Sequence, residues 1–592
     1  MSVTIDSIAE KILSNDIDKS EAISSFDSLS DYEKNILISK LKFNLSDKGK
    51  AAPADDKPLL KPVGERSLSE DHQKYIDELC DMFEKFAPKS KKNALIHQDY
   101  FVDQRKTANL KRGLKNLQYH ITYDRGEGAY LYDIDGNKYV DVTGDNGVNL
   151  FGHQPERIKK AIVDRASKGF PLVGYTEELF DAAKLFTDMT QSERVMFTQS
   201  GTEAVMWAVR IARAASMKNK IVIFDGSYHG LSDTVLAARD PEGNSMAMGL
   251  GMLQEYADQI IVLEYGEMDG LDTIAEHADE IACVLVEPIQ SRHPLRQPKE
   301  FLKELRKLTL EKDICLIFDE MITGFRVGPR GAQGFYGIKS DMATYGKVPG
   351  GGMPTGMIAG MAKYMDYVDG GTWRFDDHSM PKLKRTLVAG THTRNPLKLA
   401  ACKAILEEIQ ARCGDDLDCE KPDNFYNQLN NMTKDMAEQI NAYCAEKRVP
   451  LTVDYFSSLF KFRATDDANG VVKELFIFLL RMNGVETSVS GNFFLNTEHT
   501  PEHIKQIVDA VKKSVDTLIE KGFYVEPDPA EIEAERKAAE QKAARAAKKA
   551  QAKPAAAPAP AAAPAASGGD NQLEALKNLI LSDLRNATAG GN

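Results

Sequence analysis

Between residues 194 and 345 short apolar runs alternate with helical stretches, and no other feature narrows the fold of this chain so far. Arg194–Thr198, Lys220–Asp225, Ile260–Glu264, Cys283–Glu287, Cys315–Asp319 and Met342–Tyr345 are rich in β-branched residues. Helical patterns such as Thr202–Ala215 and Pro298–Glu311 intervene. That order predicts an α/β layer on a mostly parallel sheet. Ligands of such sheets bind beyond the carboxyl ends of the strands, so the residues after each run are the first candidates for a site.

Those residues form a chemical series. Ser200-Gly201-Thr202 leads into a long helix, where free N–H groups and the helix dipole favour an anion; the same triplet is also an ordinary helix cap. Tyr228-His229-Gly230 offers an aromatic face, with a buried aromatic and a bonded histidine as the plainer reading. Glu287-Pro288 ends the next run, and Asp319 closes Cys315-Leu316-Ile317-Phe318. A carboxylate at the end of so apolar a strand is costly without a cationic partner, unless it merely caps a helix. Lys347 follows 28 residues later, against the turn Gly350-Gly351-Gly352. A lysine amine that can capture an aldehyde, with a carboxylate that can keep a pyridine nitrogen protonated, is what pyridoxal phosphate chemistry requires.

The bulk composition agrees with such a catalyst. A chain of 592 residues exceeds one ordinary core, and 42% hydrophobic residues can fill more than one. The net charge of −13 argues against a general nucleic-acid surface. Seven scattered cysteines (80, 283, 315, 402, 413, 419 and 444) contain no C-x-x-C pair, which predicts neither a disulfide framework nor a zinc or other metal site. The polar, acidic start is not a signal peptide, and no apolar run reaches the ~20 residues that cross a bilayer. A cytoplasmic location is expected.

Along the chain, 1–45 reads as short helices, with Ile5, Ile8 and Ile12 on one face and a capping box at Ser30 and Glu33. Residues 46–66 read as a linker. A helix from Ser69 to about Phe86 begins the N-terminal part of the body, 67–160. A large domain at 161–395 and a smaller α+β domain at 396–526 follow, the latter ending in a helix near Pro501–Lys521. Residues 527–566 combine a polar helical stretch with an alanine–proline linker. Residues 567–592 carry Leu573, Leu576, Leu579, Ile580 and Leu584 at helical spacing, suited to a partner groove or to folding back on the body.

Taken jointly, Ser200-Gly201-Thr202-Glu203-Ala204, Tyr228-His229-Gly230, Phe318-Asp319-Glu320 and Gly346-Lys347 resemble the class III, fold-type I aminotransferases over about 90–525. The branch they look most like is glutamate-1-semialdehyde aminomutase, with Met321 in that branch's valine position. The fold implied is that of a fold-type I pyridoxal phosphate transferase, with helical terminal extensions added. Narrower matches are similar to the aminotransferase domains of hybrid polyketide–peptide synthetases. They include Gly147-Val148-Asn149-Leu150-Phe151-Gly152-His153, Val286-Glu287-Pro288-Ile289-Gln290-Ser291-Arg292, Gly350-Gly351-Gly352-Met353-Pro354 and Phe494-Leu495-Asn496-Thr497-Glu498-His499-Thr500. The chain departs from those domains at Asp145-Asn146-Gly147, where they carry Gly-Phe-Gly, and around Thr391.

The resemblance implies roles. Lys347 binds the cofactor and shuttles the proton, and Asp319 holds the ring nitrogen. Ser200, Gly201 and Thr202 anchor the phosphate, joined by Thr391 across a homodimer boundary. Tyr228 and Met321 pack on the ring, with His229 and Glu287 beside it. Asn146 is expected near the substrate. Arg112, Lys115 and Arg292 are the candidates for the carboxylate of a glutamate or glutamine donor. The activity implied is amination of a β-ketoacyl or aldehyde carbonyl held on an acyl carrier protein, with the terminal helices as docking elements. A 2,1-aminomutase or a transaminase of free carbonyls is the second reading, and a non-catalytic scaffold the third.

Overall fold

A seven-stranded sheet occupies the region of alternation. The computed structural model describes residues 58–107, 110–170, 172–414, 417, 424–464, 470–487, 491–530 and 537. The terminal segments 1–45 and 567–592, nearly all of 527–566, the first part of the 46–66 linker, Cys419 and the Arg112 side chain lie outside that description.

The strands are β1 (Arg194–Thr198), β2 (Lys220–Phe224), β3 (Ile260–Leu263), β4 (Ile281–Val286), β5 (Cys315–Asp319), β6 (Met342–Tyr345) and β7 (Gly356–Gly360). Their spatial order is β1-β7-β6-β5-β4-β2-β3. β4 runs parallel to β5 and β2, β5 to β6, and β2 to β3, while β7 is antiparallel to both β6 and β1. Six strands therefore point one way, and β7, which the alternation did not reveal, points against them. Its amino end at Gly356 lies opposite Thr198, so Thr355 reaches the same sheet edge as the carboxyl ends of the others.

Every residue of β4 and β5 is buried. Each fully buried Val, Leu, Ile or Phe contributes about 1.5–3 kcal/mol, and this fixes the strand register that sets Asp319 at the edge. The helix Gly201–Ser216, α1, returns from β1 with its apolar side against the sheet.

Two boundaries differ from the sequence reading. Residues 58–66 are no free linker. Lys61–Pro62 pairs with Tyr524–Val525, Val63 is buried, and the Leu60 N–H donates to the Arg448 carbonyl. The helix Pro396–Cys413 packs on the helices Glu156–Ser167 and Glu177–Thr190, so the second region starts after it, with Phe425–Glu446. That second region shares a sheet with the N-terminal part, because Val485–Glu486 lies parallel to Lys138–Asp141. The helix Glu70–Phe86, capped by Ser69, and the helix Pro501–Glu520 stand where the sequence places them.

Candidate active site

A cavity of about 390 Å³ opens at the carboxyl edge of the sheet. Ser200, Gly201, Thr202, Tyr228, His229, Glu287, Asp319, Met321 and Lys347 all line it. A larger groove of about 680 Å³ beside Lys138, Lys505 and Lys513 holds none of these groups.

The anion end is built by β1 and α1. The Ser200 hydroxyl accepts from the Glu203 N–H at 3.2 Å, and the Glu203 carboxylate accepts from the Gln199 N–H at 2.6 Å, which starts the helix at Gly201. Helix geometry leaves the first N–H groups of α1 without intrahelical acceptors, so those of Gly201 and Thr202 are free to meet an anion. Gly201 and Gly346 are small for a reason. A β-carbon on either would sit 2.7 or 2.3 Å from the Met321 sulfur, so both glycines let the thioether lie between the start of α1 and the end of β6.

At the other end Asp319 is 3% exposed. His229 Nδ1 lies 2.7 Å from its Oδ2, the Met321 N–H donates to Oδ1 at 3.1 Å and the Thr344 hydroxyl to Oδ1 at 3.3 Å. His229 is itself buried, and its Nε2 has no partner among the described residues. Glu287 holds the intervening loop, accepting from the Ser291 N–H at 2.8 Å and the Tyr228 N–H at 3.4 Å. Burial pushes its carboxyl up, and the nearby Asp319 charge adds to that. Tyr228 is 49% exposed, so it is not the buried aromatic of the plainer reading. Burial lowers the Lys347 amine from the usual lysine range, with Asp319 and Glu287 opposing, which favours the neutral amine a nucleophile needs.

The structure separates the remaining candidates from this group. Thr391 is exposed and outside the lining. Lys115 and Arg292 are exposed and do not line the cavity either. Asn146 is outside the lining as well; its neighbour Asp145 takes that place. The reason is a left-handed turn. Gly144, Asp145, Asn146 and Gly147 have φ of 51°, 49°, 58° and 91°, a region that costs an ordinary residue roughly 1–2 kcal/mol.

Arg326 secures that turn, and nothing in the sequence marked it. It is 1% exposed and donates to the Gly147 carbonyl at 2.8 Å, the Ser458 hydroxyl at 3.0 Å and the Leu495 carbonyl at 3.1 Å. Burial lowers its guanidinium to about 10.

The model of the aminotransferase class-III family matches residues 113–445. The chain is a class-III aminotransferase. A glutamate-1-semialdehyde 2,1-aminomutase of Sulfurisphaera tokodaii is 30% identical over 419 residues, covering 68% of this chain and 94% of that protein. An omega-transaminase structure from Sphaerobacter thermophilus superposes with a TM-score of 0.62 at 25% identity, over 72% of this chain and 97% of that one. A glutamate-1-semialdehyde aminomutase of Pseudomonas aeruginosa, in complex with PMP, has the same fold, with a TM-score of 0.65 at 21% identity over 75% and 98%.

The cofactor of this class-III aminotransferase is pyridoxal phosphate, and the residues present fit it. The free amides of α1 suit the phosphate, the Asp319 carboxylate a protonated ring nitrogen, and the buried Lys347 amine the aldehyde. When bound, pyridoxal phosphate supplies a carbonyl that takes up an amino group and a ring that accepts the electron pair of a broken C–H bond. Among the described residues no helix is long and apolar enough to cross a membrane.

Proposed function

We propose that this aminotransferase moves an amino group from glutamate or glutamine to the carbonyl of a β-ketoacyl or aldehyde chain borne on an acyl carrier protein. The observation that carries the transamination is Lys347 and Asp319 lining one cavity with the free amides of α1. Lys347 Nζ removes a proton from the donor α-carbon and later delivers one to the acceptor carbon. Asp319, oriented by His229 and Thr344, keeps a positive partner in place throughout. Ser200, Gly201 and Thr202 anchor the phosphate, with Thr391 of a second copy, and Tyr228 covers the ring.

The carrier-bound acceptor is supported by the likeness to the hybrid synthetase domains, and the cavity opens to solvent beside the exposed Asp145 and Tyr228. The test incubates the enzyme with glutamate or glutamine and either free or carrier-loaded β-keto acceptors, then weighs the products. Amination confined to the loaded carrier supports the reading; amination confined to free acceptors overturns it. A free-substrate 2,1-aminomutase or transaminase is the second reading, favoured by the 30% identity to the Sulfurisphaera aminomutase.

A further inference from the structure

One buried amine takes no part in the chemistry above. Lys398, on the helix Pro396–Cys413, is 3% exposed and donates from Nζ to the Thr198 carbonyl at 2.6 Å. Among the described residues its ammonium forms no ion pair. Burial lowers it to about 8, with the Glu203 charge opposing. A buried cation held by one carbonyl is costly, so an apolar side chain would fill that place more cheaply.

What the lysine does there follows from what Thr198 holds. Thr198 ends β1 just ahead of Ser200, and its hydroxyl donates to the Ser200 carbonyl at 2.9 Å. Its carbonyl also accepts from the Thr355 hydroxyl at 3.3 Å, and Thr355 lines the cavity. One carbonyl therefore ties the ammonium to the cavity wall. Gly356 lets β7 close on the same turn, since a β-carbon there would stand 2.4 Å from the Ser200 carbonyl oxygen. The helix of Lys398 also abuts the turn after Lys347, where a β-carbon on Gly351 would stand 2.8 Å from the Ala401 carbonyl oxygen. A hydrogen bond from an ammonium is stronger than one from a neutral donor, so Lys398 is the firmest tie on this backbone. We propose that Lys398 is a positioning residue for the cofactor phosphate: its ammonium fixes the Thr198 carbonyl, and with it the turn whose Gly201 and Thr202 amides receive the phosphate. An anion bound on that turn in return offsets the cost of the buried cation. This role rests on the assignment of Ser200, Gly201 and Thr202 to the phosphate, and it holds for either acceptor.

The experiment measures equilibrium binding of pyridoxal phosphate and of pyridoxal to the cofactor-depleted full chain, as wild type, Lys398→Met and Lys398→Gln. Methionine keeps an unbranched stem and removes the donor, while the Thr355 hydroxyl still serves the Thr198 carbonyl. The glutamine variant gives the same reading should the methionine one not fold. The expected result is a Kd about tenfold higher for pyridoxal phosphate in both variants, with the Kd for pyridoxal unchanged. A residue that only supports the fold would weaken both ligands alike, so equal losses overturn the role. A wild-type preference for the phosphorylated form, kept whole in both variants, also removes Lys398 and leaves the phosphate assignment standing. Equal wild-type affinity for the two ligands takes down that assignment itself.

Discussion

His229 Nδ1 lies 2.7 Å from Asp319 Oδ2, and both side chains are buried. The imidazole gives the carboxylate a hydrogen bond that water cannot, and so fixes which way it faces. Asp319→Asn keeps this shape and removes the charge. The variant is expected to fold and to hold the cofactor more loosely, with kcat lower by about 10³-fold. Single-turnover kinetics with saturating cofactor measure this, and an unchanged rate removes Asp319 from the mechanism.

Lys347→Ala is expected to abolish turnover and covalent cofactor capture together. Borohydride reduction of the wild-type enzyme, followed by digestion, should leave the pyridoxyl mass on the peptide that contains Lys347. The same mass on another peptide, or turnover in the variant, would mean that a different amine does the chemistry.

Sequence showed most of this site because each strand announces its own carboxyl end. Asp319 and Lys347 follow apolar runs, so their place at one edge came with the sheet itself. What it could not show depends on contacts across long separations. Arg326 bonds to Gly147, Ser458 and Leu495, more than 130 residues away in each case, and no local pattern encodes such a meeting. Asp145 rather than Asn146 lines the cavity, because composition cannot tell which residue of a left-handed turn faces inward. β7 leaves no strand signature because Gly356-Met357-Ile358-Ala359-Gly360 is short and begins and ends in glycine. Residues 58–66 read as linker because a two-residue pairing with Tyr524–Val525 leaves no periodic trace.

Arg326→Met should destabilise the fold more than its hydrogen bonds alone suggest. It leaves the Gly147 and Leu495 carbonyls buried and unpaired and frees the left-handed turn at the cavity mouth. The expected loss is about 3 kcal/mol, seen in urea unfolding, with a raised KM for the acceptor. A variant as stable as the wild type would show that the turn holds by itself.

Stability should fall between weakly acidic and weakly basic pH because of Glu320. Burial raises its carboxyl from 4.5 to about 7, even against hydrogen bonds from Thr323, Ala332 and Gln333. The folded chain therefore keeps a proton that the unfolded chain releases near pH 4.5, so folding stability declines as pH climbs from there through 7, by about 3 kcal/mol in all. Tm measured across pH 5 to 8 should drop more steeply for the wild type than for Glu320→Gln, which cannot titrate. Parallel curves would assign the slope to another group.

Thr391 tests whether a single chain holds a complete site. It is exposed and does not line its own cavity, although Gly390 beside it packs near Gln199 and Glu203 of the same chain. If Thr391 serves the cavity of a second copy, then Lys347→Ala and Thr391→Ala bring their defects together in a single site of a hybrid dimer. One site there carries both changes and the other carries neither. Mixing the two weakened variants and allowing subunits to exchange should restore about a quarter of wild-type activity, since half of the dimers are hybrids with one intact site each. Activity that stays at the average of the separate variants would place Thr391 in its own chain's site, or outside catalysis altogether.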